Sequence, residues 1–418
     1  MTTDLRVLRP TDWDQWYGTL ELAFGGVPET PEERTLWREL TRFDRSIGAW
    51  DGPDVVGSAG SFAFRMAVPG GSLVPAAGVT MVGVRPTHRR QGVLTSMMRH
   101  LLEGVRERRE PLAALTASEP GIYGRFGYGI ATHRIHARVD TSRVRLVIPE
   151  DPSATDGSYA TDGVRIRLSA PEDARAACEE VYARRVTTRP GMLARQPAWD
   201  AVPLLDPVDK RDGASPLNCV LAEADGETVG YARYAIRPSW DRRGPRGTVV
   251  LRDLEALTPA ARAALWRYLF GLDLTSEIDA FSLPVDDPLL QLVDDIRRCD
   301  VQVADQLHLR LVDVGDALAA RTYAAPVDVV LDVTDAFCPW NTGRWRLTGD
   351  AKGATCARTR DAADLALSAR ELGAAYLGGT SLAALAGAGR VRELREGALA
   401  EASVAFTSAV APWLPHGF

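Results

Sequence analysis

The stretch "MVGVRPTHRRQGVLTSMM", Met81–Met98, joins a short apolar segment to a cationic turn and to the start of a helix. From Val93 to Val105, apolar residues recur with helical spacing and charged residues lie between them, which predicts an amphipathic helix. The apolar residues before Pro86 predict a strand, because proline interrupts the hydrogen bonding of a sheet. The stretch therefore predicts a strand, a turn and a helix in direct succession.

The turn between this strand and this helix has the features of an anion site. Gly92 allows the backbone to approach a ligand closely, and the first turn of the helix offers unpaired N–H groups at the positive end of its dipole. Helix N-termini of this kind bind phosphate groups. Arg89 and Arg90 would add charge-assisted hydrogen bonds, so we expect the anion site at residues 89–94.

The residues after the helix predict a parallel crossover. "PLAALTASEP", Pro111–Pro120, is typical of a second apolar strand that ends at Ser118, so the whole unit is a βαβ motif. Ligands of such sheets bind near the carboxyl ends of the strands. A loop rich in glycine and aromatic residues, Gly121–Thr132, follows and can lie close to a ligand. The phosphate loops of dinucleotide and nucleoside triphosphate sites are absent from the sequence.

The pattern of the first part of the chain returns in the second part, which indicates an internal duplication. The three matched pairs of segments are Leu5–Phe24 with Val164–Arg185, Ile47–Arg65 with Val220–Arg237, and Gly78–Gly104 with Gly247–Asp273. The second copy has no glycine and no row of cations where the first has its turn. We therefore expect the second copy to lack the anion site.

Two further features divide the chain. The segment Ile148–Gly163 is rich in Pro, Asp, Ser, Thr and Gly, which is typical of a linker. From about residue 325, strand-like runs lead into helical segments rich in alanine and leucine, which predicts an α+β domain. The chain ends in "AVAPWLPHGF", where two prolines exclude a helix and no acidic or basic side chain except His416 occurs.

Composition narrows the class of protein. The chain has 418 residues, a net charge of -6 and 45% hydrophobic residues, so we expect several globular domains and no binding of nucleic acid. We find no leader and no apolar run that could cross a bilayer, and we expect a cytoplasmic protein with no membrane partner. The five cysteines have no metal-binding spacing, so neither a metal site nor a disulfide framework is expected. Only Lys210 and Lys352 are lysines among 49 basic residues, so pairs of arginines occur by chance.

The turn resembles a known cofactor loop. "RRQGVL", Arg89–Leu94, is similar to the [QR]xxGx[GA] pyrophosphate loop of GNAT N-acetyltransferases, which bind acetyl-CoA, although Leu94 departs from the pattern. Together with "THRRQG" and "IYGRFGYG", the whole chain resembles the Eis (enhanced intracellular survival) family. The resemblance implies tandem GNAT folds, each an α/β mixed sheet with helices on both faces, and a sterol-carrier-like α+β domain. It divides the chain into a catalytic domain at 1–150, a degenerate GNAT domain at 151–320 and a sterol-carrier-like domain at 321–418.

The resemblance also implies the chemistry. Acetyl transfer from a thioester to an amine needs a neutral nucleophile and a proton for the departing thiolate. The family assigns the general acid to Tyr123; Tyr128 is the alternative, with packing as its other role. The family's proton acceptor is the C-terminal carboxylate, here that of Phe418, acting directly or through water. The apolar end of the chain can enter an interior without burying a charged side chain.

The resemblance assigns further residues to the two substrates. Those matched to the cofactor are Val82, Val84, Arg89, Arg90, Gly92, Val93 and Leu94, with Ser118 as a further candidate beside the pantetheine. Those matched to the acceptor pocket are Phe24, Trp37, Phe62 and Met81, of which Phe62 and Met81 could equally be core residues.

The acceptor amine is less well defined by the sequence. Members of the family that modify aminoglycosides carry acidic residues at two places where this chain has Gly26 and Gly417. We therefore expect a smaller or more apolar amine, with His416 shaping the choice. The alternatives are a binding protein for acyl-CoA or another apolar ligand without turnover, and an acetyltransferase for protein lysines. A homohexamer is implied by the family alone.

Overall fold

A computed structural model describes residues 3–149, 161 and 163–418 of the protein. The chain forms two compact units. The first unit contains residues 1–132, 189–194 and 305–418, and the second contains residues 133–188 and 195–304. The predicted linker at Ile148–Gly163 lies largely outside the described residues.

The first unit contains a mixed sheet. Its strands, in spatial order, are β1 (Asp4–Val7), β2 (Ser46–Asp51), β3 (Asp54–Ala67), β4 (Leu73–Val84), β5 (Leu112–Thr116), β16 (Leu307–Leu311) and β6 (Gly129–Ile130). The helices of this part are α1 (Trp13–Ala23), α2 (Pro31–Leu40) and α3 (Val93–Glu107). Strands β4 and β5 are parallel, and α3 is the crossover between them, so the predicted βαβ motif is confirmed.

Helix α3 follows the predicted pattern and packs against the sheet by its apolar face. Met97, Met98 and Leu102 have no exposed surface. A buried ion pair between Arg45 and Glu110, with N–O distances of 2.9 and 2.6 Å, joins the residue before β2 to the residues before β5. Removing one partner of such a pair leaves an uncompensated charge, which typically costs about 3–5 kcal/mol.

The second unit contains a similar mixed sheet. Its strands, in spatial order, are β15 (Gln302–Asp305), β7 (His133–Asp140), β14 (Thr275–Pro284), β13 (Gly247–Ala256), β10 (Glu227–Arg237), β9 (Asn218–Ala224) and β8 (Arg165–Ser169). A small hairpin of β11 (Trp240–Asp241) and β12 (Gly244–Pro245) extends from it. The helices are α4 (Arg175–Val186), α5 (Pro259–Phe270) and α6 (Leu289–Leu292). Strands β13 and β14 are parallel across α5, as β4 and β5 are across α3, so the predicted duplication is confirmed.

The two sheets exchange one equivalent strand. β7 follows the first repeat in sequence but pairs with β14 of the second sheet, whereas β16 follows the second repeat and pairs with β5 of the first. An edge strand can accept any segment with free backbone N–H and C=O groups, so chain order does not decide the partner. The two compact units therefore do not begin and end at residues 150 and 320. The domain boundaries at those two residues stay a prediction.

The C-terminal part of the first unit has its own sheet, in the order β19 (Gly353–Arg358), β18 (Gly343–Asp350), β17 (Val327–Thr334), β20 (Leu365–Ser368) and β21 (Val391–Glu393). The helices here are α7 (Val314–Ala319), α8 (Ala369–Ala375), α9 (Leu382–Gly387) and α10 (Ala398–Phe406). This architecture is the predicted α+β domain. Among the described helices, none combines the length and apolar character needed to cross a bilayer.

Candidate active site

A cavity of about 1000 Å³ opens in the first unit, where β4 and β5 separate. The two strands pair only over Ala76–Gly78 and Leu112–Ala114, and the later residues of each line opposite walls. The start of α3, the segment from α1 to α2, a 3-10 helix at Pro120–Phe126 and the C-terminus complete the lining. The cavity therefore lies at the carboxyl ends of two parallel strands, as the sequence predicts.

A β-bulge in β4 shapes one wall of this cavity. Ser58 of β3 is paired with Gly83 and Gly60 with Thr80, so two residues of β4 oppose one residue of β3. Met81, within the bulge, has a φ of 54°, which is rare for a residue with a side chain. Val82, the other residue of the bulge, and Val84 beyond it also line the cavity, where a pantetheine arm could pair with the edge of β4.

The turn before α3 has the geometry expected of an anion site. Gly92 is the N-cap of α3 with a φ of 86°, and no side chain caps the helix. A Cβ at Gly92 would meet no atom within 4 Å, so the glycine is required by its backbone conformation and not by lack of space. The side chain of Val93 is buried against the sheet, and its backbone N–H lies in the first turn of α3, where a helix has no acceptor of its own.

The two arginines of the turn differ in their surroundings. The guanidinium of Arg89 donates to the carbonyl oxygen of Ala23 at 3.1 Å, so its side chain also braces the end of α1. Arg90 has a φ of 62° and, within the described residues, makes no hydrogen bond or ion pair. Both line the cavity together with Leu94. Free helix N–H groups beside two cations fit the diphosphate of a coenzyme A molecule.

Tyr123 lies in the cavity wall, whereas Tyr128 does not. Tyr123 belongs to the 3-10 helix Pro120–Phe126 and is partly buried. Burial, together with the carboxylate of Glu119, raises the pKa of Tyr123 to about 12. Tyr128 is fully buried, its hydroxyl faces the sulfur of Met98 at 3.9 Å, and burial raises its pKa. Tyr123 therefore has access to a ligand, and Tyr128 packs in the core behind it.

The C-terminal residue lines the same cavity. The ring of Phe418 packs edge to face against the ring of Phe64 on β3, with 5.1 Å between the centroids. A Cβ at Gly78 of β4 would lie 3.0 Å from the Phe418 ring and closer still to Phe64, so a glycine is needed there. Phe418 therefore lines the cavity beside β3 and β4.

The predicted acceptor residues lie in two layers. Phe24, Trp37 and Met81 line the cavity on the side of α1 and α2. Phe62 is buried behind them, with its ring 6.5 Å from Trp37 and 5.6 Å from Phe64, and is not part of the lining. Ser118 lines the opposite wall, beyond the end of β5.

Two carboxylates line the cavity at positions other than Gly26 and Gly417. They belong to Glu21 of α1 and to Glu29, which follows α1. Glu21 pairs with Arg34 at 2.7 Å and accepts from the backbone N–H of Glu29 at 3.0 Å. Tyr17 donates its hydroxyl to Glu29, and burial with this contact raises the pKa of Tyr17. Neither carboxylate belongs to a sequence motif, and only folding brings Glu29, in the segment after α1, back beside Glu21 of that helix.

Within residues 3–149, 161 and 163–418, no group of three or more His, Cys, Asp or Glu side chains is placed to hold a metal ion. The cysteines are free thiols, and Cys178 and Cys219 face each other with 3.7 Å between sulfurs in the interior of the second unit. The ionisable side chains that line the cavity include arginines, such as Arg89 and Arg90, and carboxylates, such as Glu21 and Glu29.

Comparison with protein families gives three matches along the chain. Residues 4–131 match an acetyltransferase (GNAT) domain, residues 191–311 match another acetyltransferase (GNAT) domain, and residues 314–415 match a sterol carrier protein domain. The order of the matches agrees with the two mixed sheets and the α+β domain. The predicted fold class is confirmed.

Similar proteins extend over the whole chain. An "uncharacterized N-acetyltransferase" of Streptomyces avermitilis is 65% identical over the full length of both chains. The N-acetyltransferase Eis of Mycobacterium bovis is 36% identical over 96% of each chain. The crystal structure of Eis1 from Mycobacterium abscessus superposes with a TM-score of 0.83, 33% identity and complete coverage of both chains.

Proposed function

This chain belongs to the Eis family of GNAT N-acetyltransferases, and we propose that it moves an acetyl group from acetyl-CoA to a primary amine of a small molecule. The observation that supports this proposal is the lining of one cavity, which includes an uncapped helix N-terminus with two arginines, a tyrosine and the chain terminus. Acetyl-CoA, which the GNAT fold implies, supplies an activated thioester. The protein therefore has mainly to position the two substrates and to transfer protons.

In this proposal, the turn holds the cofactor. The N–H groups of Gly92, Val93 and Leu94 and the guanidinium groups of Arg89 and Arg90 bind the diphosphate. The backbone groups of Val82 and Val84 pair with the pantetheine arm as a neighbouring strand would, and Ser118 lies beside the pantetheine. Each interaction fixes the thioester near the point where β4 and β5 separate.

Two groups handle the protons. The Phe418 carboxylate accepts a proton from the amine, directly or through a water, so that the nitrogen lone pair can attack the thioester carbonyl. Tyr123 donates its phenolic proton to the sulfur as the carbon–sulfur bond breaks. A pKa of about 12 keeps Tyr123 protonated at neutral pH, which an acid requires. The products are the acetylated amine and free coenzyme A. The ammonium nitrogen loses two protons in all: one replaces the proton that Tyr123 gave to the sulfur, and the other leaves the Phe418 carboxyl group for solvent, which restores both groups.

The acceptor end favours an amine with a positive charge. The side chains of Glu21 and Glu29 and the Phe418 carboxylate supply acidic groups at this end, where Arg34 pairs with Glu21. The rings of Phe24 and Trp37 provide apolar surface beside these carboxylates. This combination suits an amine carried on an apolar or aromatic body, and it attracts the ammonium form before deprotonation.

The test is acetyl-CoA consumption with a panel of primary amines, with mass spectrometry of the products. We expect turnover with small cationic amines, and Tyr123→Phe should lower kcat by roughly 10²–10⁴-fold, the usual contribution of a general acid. Tyr128→Phe is the matched control, since it removes a hydroxyl from the neighbouring ring outside the cavity.

The outcomes separate the alternatives. Coenzyme A binding without turnover of any amine would contradict the proposal and favour an acyl-CoA binding protein. Turnover of peptide lysines but not of small amines would favour a protein acetyltransferase. The homohexamer implied by the family and the cytoplasmic location stay predictions, and sedimentation of the purified protein tests the first.

A further inference from the structure

The C-terminal segment Ala411–Phe418, hereafter the tail, reaches the cavity without regular secondary structure. Pro412, Trp413 and Leu414 are buried, whereas Gly417 is exposed and Phe418 is only partly buried. A chain end without a helix or strand normally frays. Ordering such a segment costs backbone entropy, so specific contacts must hold the tail in place.

One set of contacts comes from residues 189–194, which lie between α4 and β9 in sequence but belong to the first unit. Strand β2 pairs with β3 only as far as Gly60, which leaves the later edge of β3 open. Residues 191–194 pair with that edge. The N–H of Gly191 donates to Ala67 at 2.8 Å, and the N–H of Ala67 donates to Met192 at 2.9 Å.

Residues 189–191 of this segment also contact the tail. The N–H of Trp413 donates to the carbonyl oxygen of Pro190 at 2.9 Å, and the guanidinium of Arg189 donates to the carbonyl oxygen of Ala411. Arg189 is only 7% exposed, so it is fixed in position. Gly191 has a φ of 92°, and a Cβ there would lie 3.1 Å from the carbonyl oxygen of Trp413, so tail and segment are in close contact.

Gln306, immediately before β16, makes a two-point contact with the next residue of the tail. Its side-chain amide N–H donates to the carbonyl oxygen of Leu414, and its amide oxygen accepts from the N–H of Leu414 at 3.3 Å. The backbone of Gln306 is itself held, since its N–H donates to Thr132 at 3.1 Å. A primary amide that pairs with both groups of one residue fixes the position and the direction of the chain.

Packing also holds the tail, since Trp413 and Leu414 are buried and the ring of Phe418 packs against Phe64. The hydrogen bonds add something that packing does not provide, because they fix the backbone of the tail at defined points. Four residues separate Leu414 from the terminal carboxylate, so the last fixed hydrogen bonds set where that carboxylate can reach. A carboxylate acting on a bound amine must be held to within a fraction of an ångström, because small misplacements reduce rates strongly.

We propose that Gln306 and Arg189, with the segment Arg189–Gly191, are positioning residues that hold the Phe418 carboxylate in the active site. This inference rests on the proposed function, in which that carboxylate accepts the proton of the amine. The part of the chain that follows α4 in the second repeat thus serves catalysis in the first, although the second repeat lacks the cationic turn.

The first measurement follows the tail itself. A carboxypeptidase that removes aromatic C-terminal residues is added to the folded full-length protein, and release of Phe418 is followed by mass spectrometry. Gln306→Leu and Arg189→Met should each speed the release at least about tenfold, and should increase hydrogen exchange at Trp413 and Leu414, because roughly 1.4 kcal/mol of anchoring corresponds to tenfold.

Matched controls come from the same unit. Gln15 donates to the carbonyl oxygen of Pro53 at 3.3 Å, and Arg358 donates to the carbonyl oxygen of Thr342 at 2.6 Å. Within the described residues, neither side chain makes a hydrogen bond to the tail. Gln15→Leu and Arg358→Met should leave Phe418 release unchanged. The milder variant Gln306→Glu keeps an oxygen for the Leu414 N–H and should give an intermediate rate, so the inference can be tested even if Gln306→Leu does not fold.

The second measurement is the split between kinetic constants. Both positioning variants should lower kcat roughly tenfold to a hundredfold while KM for acetyl-CoA stays unchanged, since the cofactor loop is intact. Unchanged Phe418 release, or faster release with unchanged kcat, would overturn the inference. If the wild-type protein shows no turnover at all, the proposed function fails. The rate of Phe418 release still decides whether Gln306 and Arg189 hold the tail in place.

Discussion

The two repeats share a backbone but differ where α3 and α5 begin. Both central hairpins contain a bulge: β4 has one at Met81, and β13 has an extra residue, Arg252, opposite the junction of Arg233 and Tyr234. Helix α3 begins at Gly92 without a side-chain cap. Helix α5 begins after Thr258, whose hydroxyl accepts from the N–H of Ala261 at 3.1 Å, and its first residue is a proline.

This difference explains why only one repeat is expected to bind an anion. In the second repeat, the threonine satisfies one free N–H and Pro259 has none to offer, so the helix start is closed by its own chain. In the first repeat, the same N–H groups are left for a ligand. The prediction that the second copy lacks the anion site agrees with this capping. Retention of a fold therefore does not require retention of its site.

The largest effect should come from removing the two cations of the first repeat. Arg89→Ala combined with Arg90→Ala should weaken coenzyme A binding by about a hundredfold or more, because each charge-assisted hydrogen bond contributes about 1.5–3 kcal/mol. Isothermal titration with coenzyme A measures the change. Arg252→Ala, at the bulge of the second repeat, should leave the affinity unaltered, and equal losses in both variants would refute the contrast between the repeats.

A smaller effect should come from the acceptor wall, for which the second repeat has no equivalent helix. In the first repeat, α2 lies between α1 and β2. In the second repeat, the corresponding interval between α4 and β9 contains only 3-10 turns, at Trp199–Leu204 and Val208–Lys210. Glu29→Gln should raise KM for a cationic amine roughly five- to tenfold by removing one charge, with KM for acetyl-CoA unchanged. Glu39→Gln, on the exposed face of α2, is the matched control. An unchanged amine KM would argue against this wall as the acceptor site.

The helix starts themselves give a matched pair of smaller effects. Gly92→Ala forces a side chain into a left-handed conformation, and Thr258→Ala removes a cap, so each should cost about 1 kcal/mol of folding free energy. Only Gly92→Ala should also raise KM for acetyl-CoA. Thermal unfolding and steady-state kinetics of both variants measure this. A raised KM in the Thr258 variant would mean that the capped helix also contributes to binding.

The smallest expected effect concerns pH. Burial raises the pKa of Tyr123 to about 12, so the phenol stays protonated, and thus able to act as an acid, well above its ordinary pKa. We therefore expect that ionisation of Tyr123 does not lower kcat up to about pH 10. A tyrosine with an ordinary pKa would be half ionised at that pH. A profile of log kcat against pH tests this, and a decline centred near pH 10 would show that Tyr123 is not shielded.

Much of the fold follows from local patterns. Helix α3, the strand on each side of it and the repeated order of elements depend on residues close together in sequence, and the structure confirms them. The exchange of β7 and β16 between the sheets was not predicted, because edge pairing depends on which strand ends are near in space. The α+β character of the last part was predicted from its alternating runs.

The site follows the sequence in part. The turn at 89–94, Tyr123 and Phe418 were singled out by motif and resemblance, and all of them line one cavity. Phe62 was assigned to the acceptor pocket, but it packs one layer behind it. Glu21 and Glu29 were missed, although their spacing across a loop with Gly25 and Gly26 was a possible signal for a chain reversal.

The sequence alone determined the anion turn, the duplication and the uncharged end of the chain, because spacing, glycine placement and apolar periodicity act between near neighbours. Only the tertiary structure decided which strands complete each sheet, which carboxylates line the cavity, and that Gln306 and Arg189 contact the tail. The strand exchange and the tail contacts join residues more than 100 positions apart, and all of these features depend on packing that no local pattern encodes.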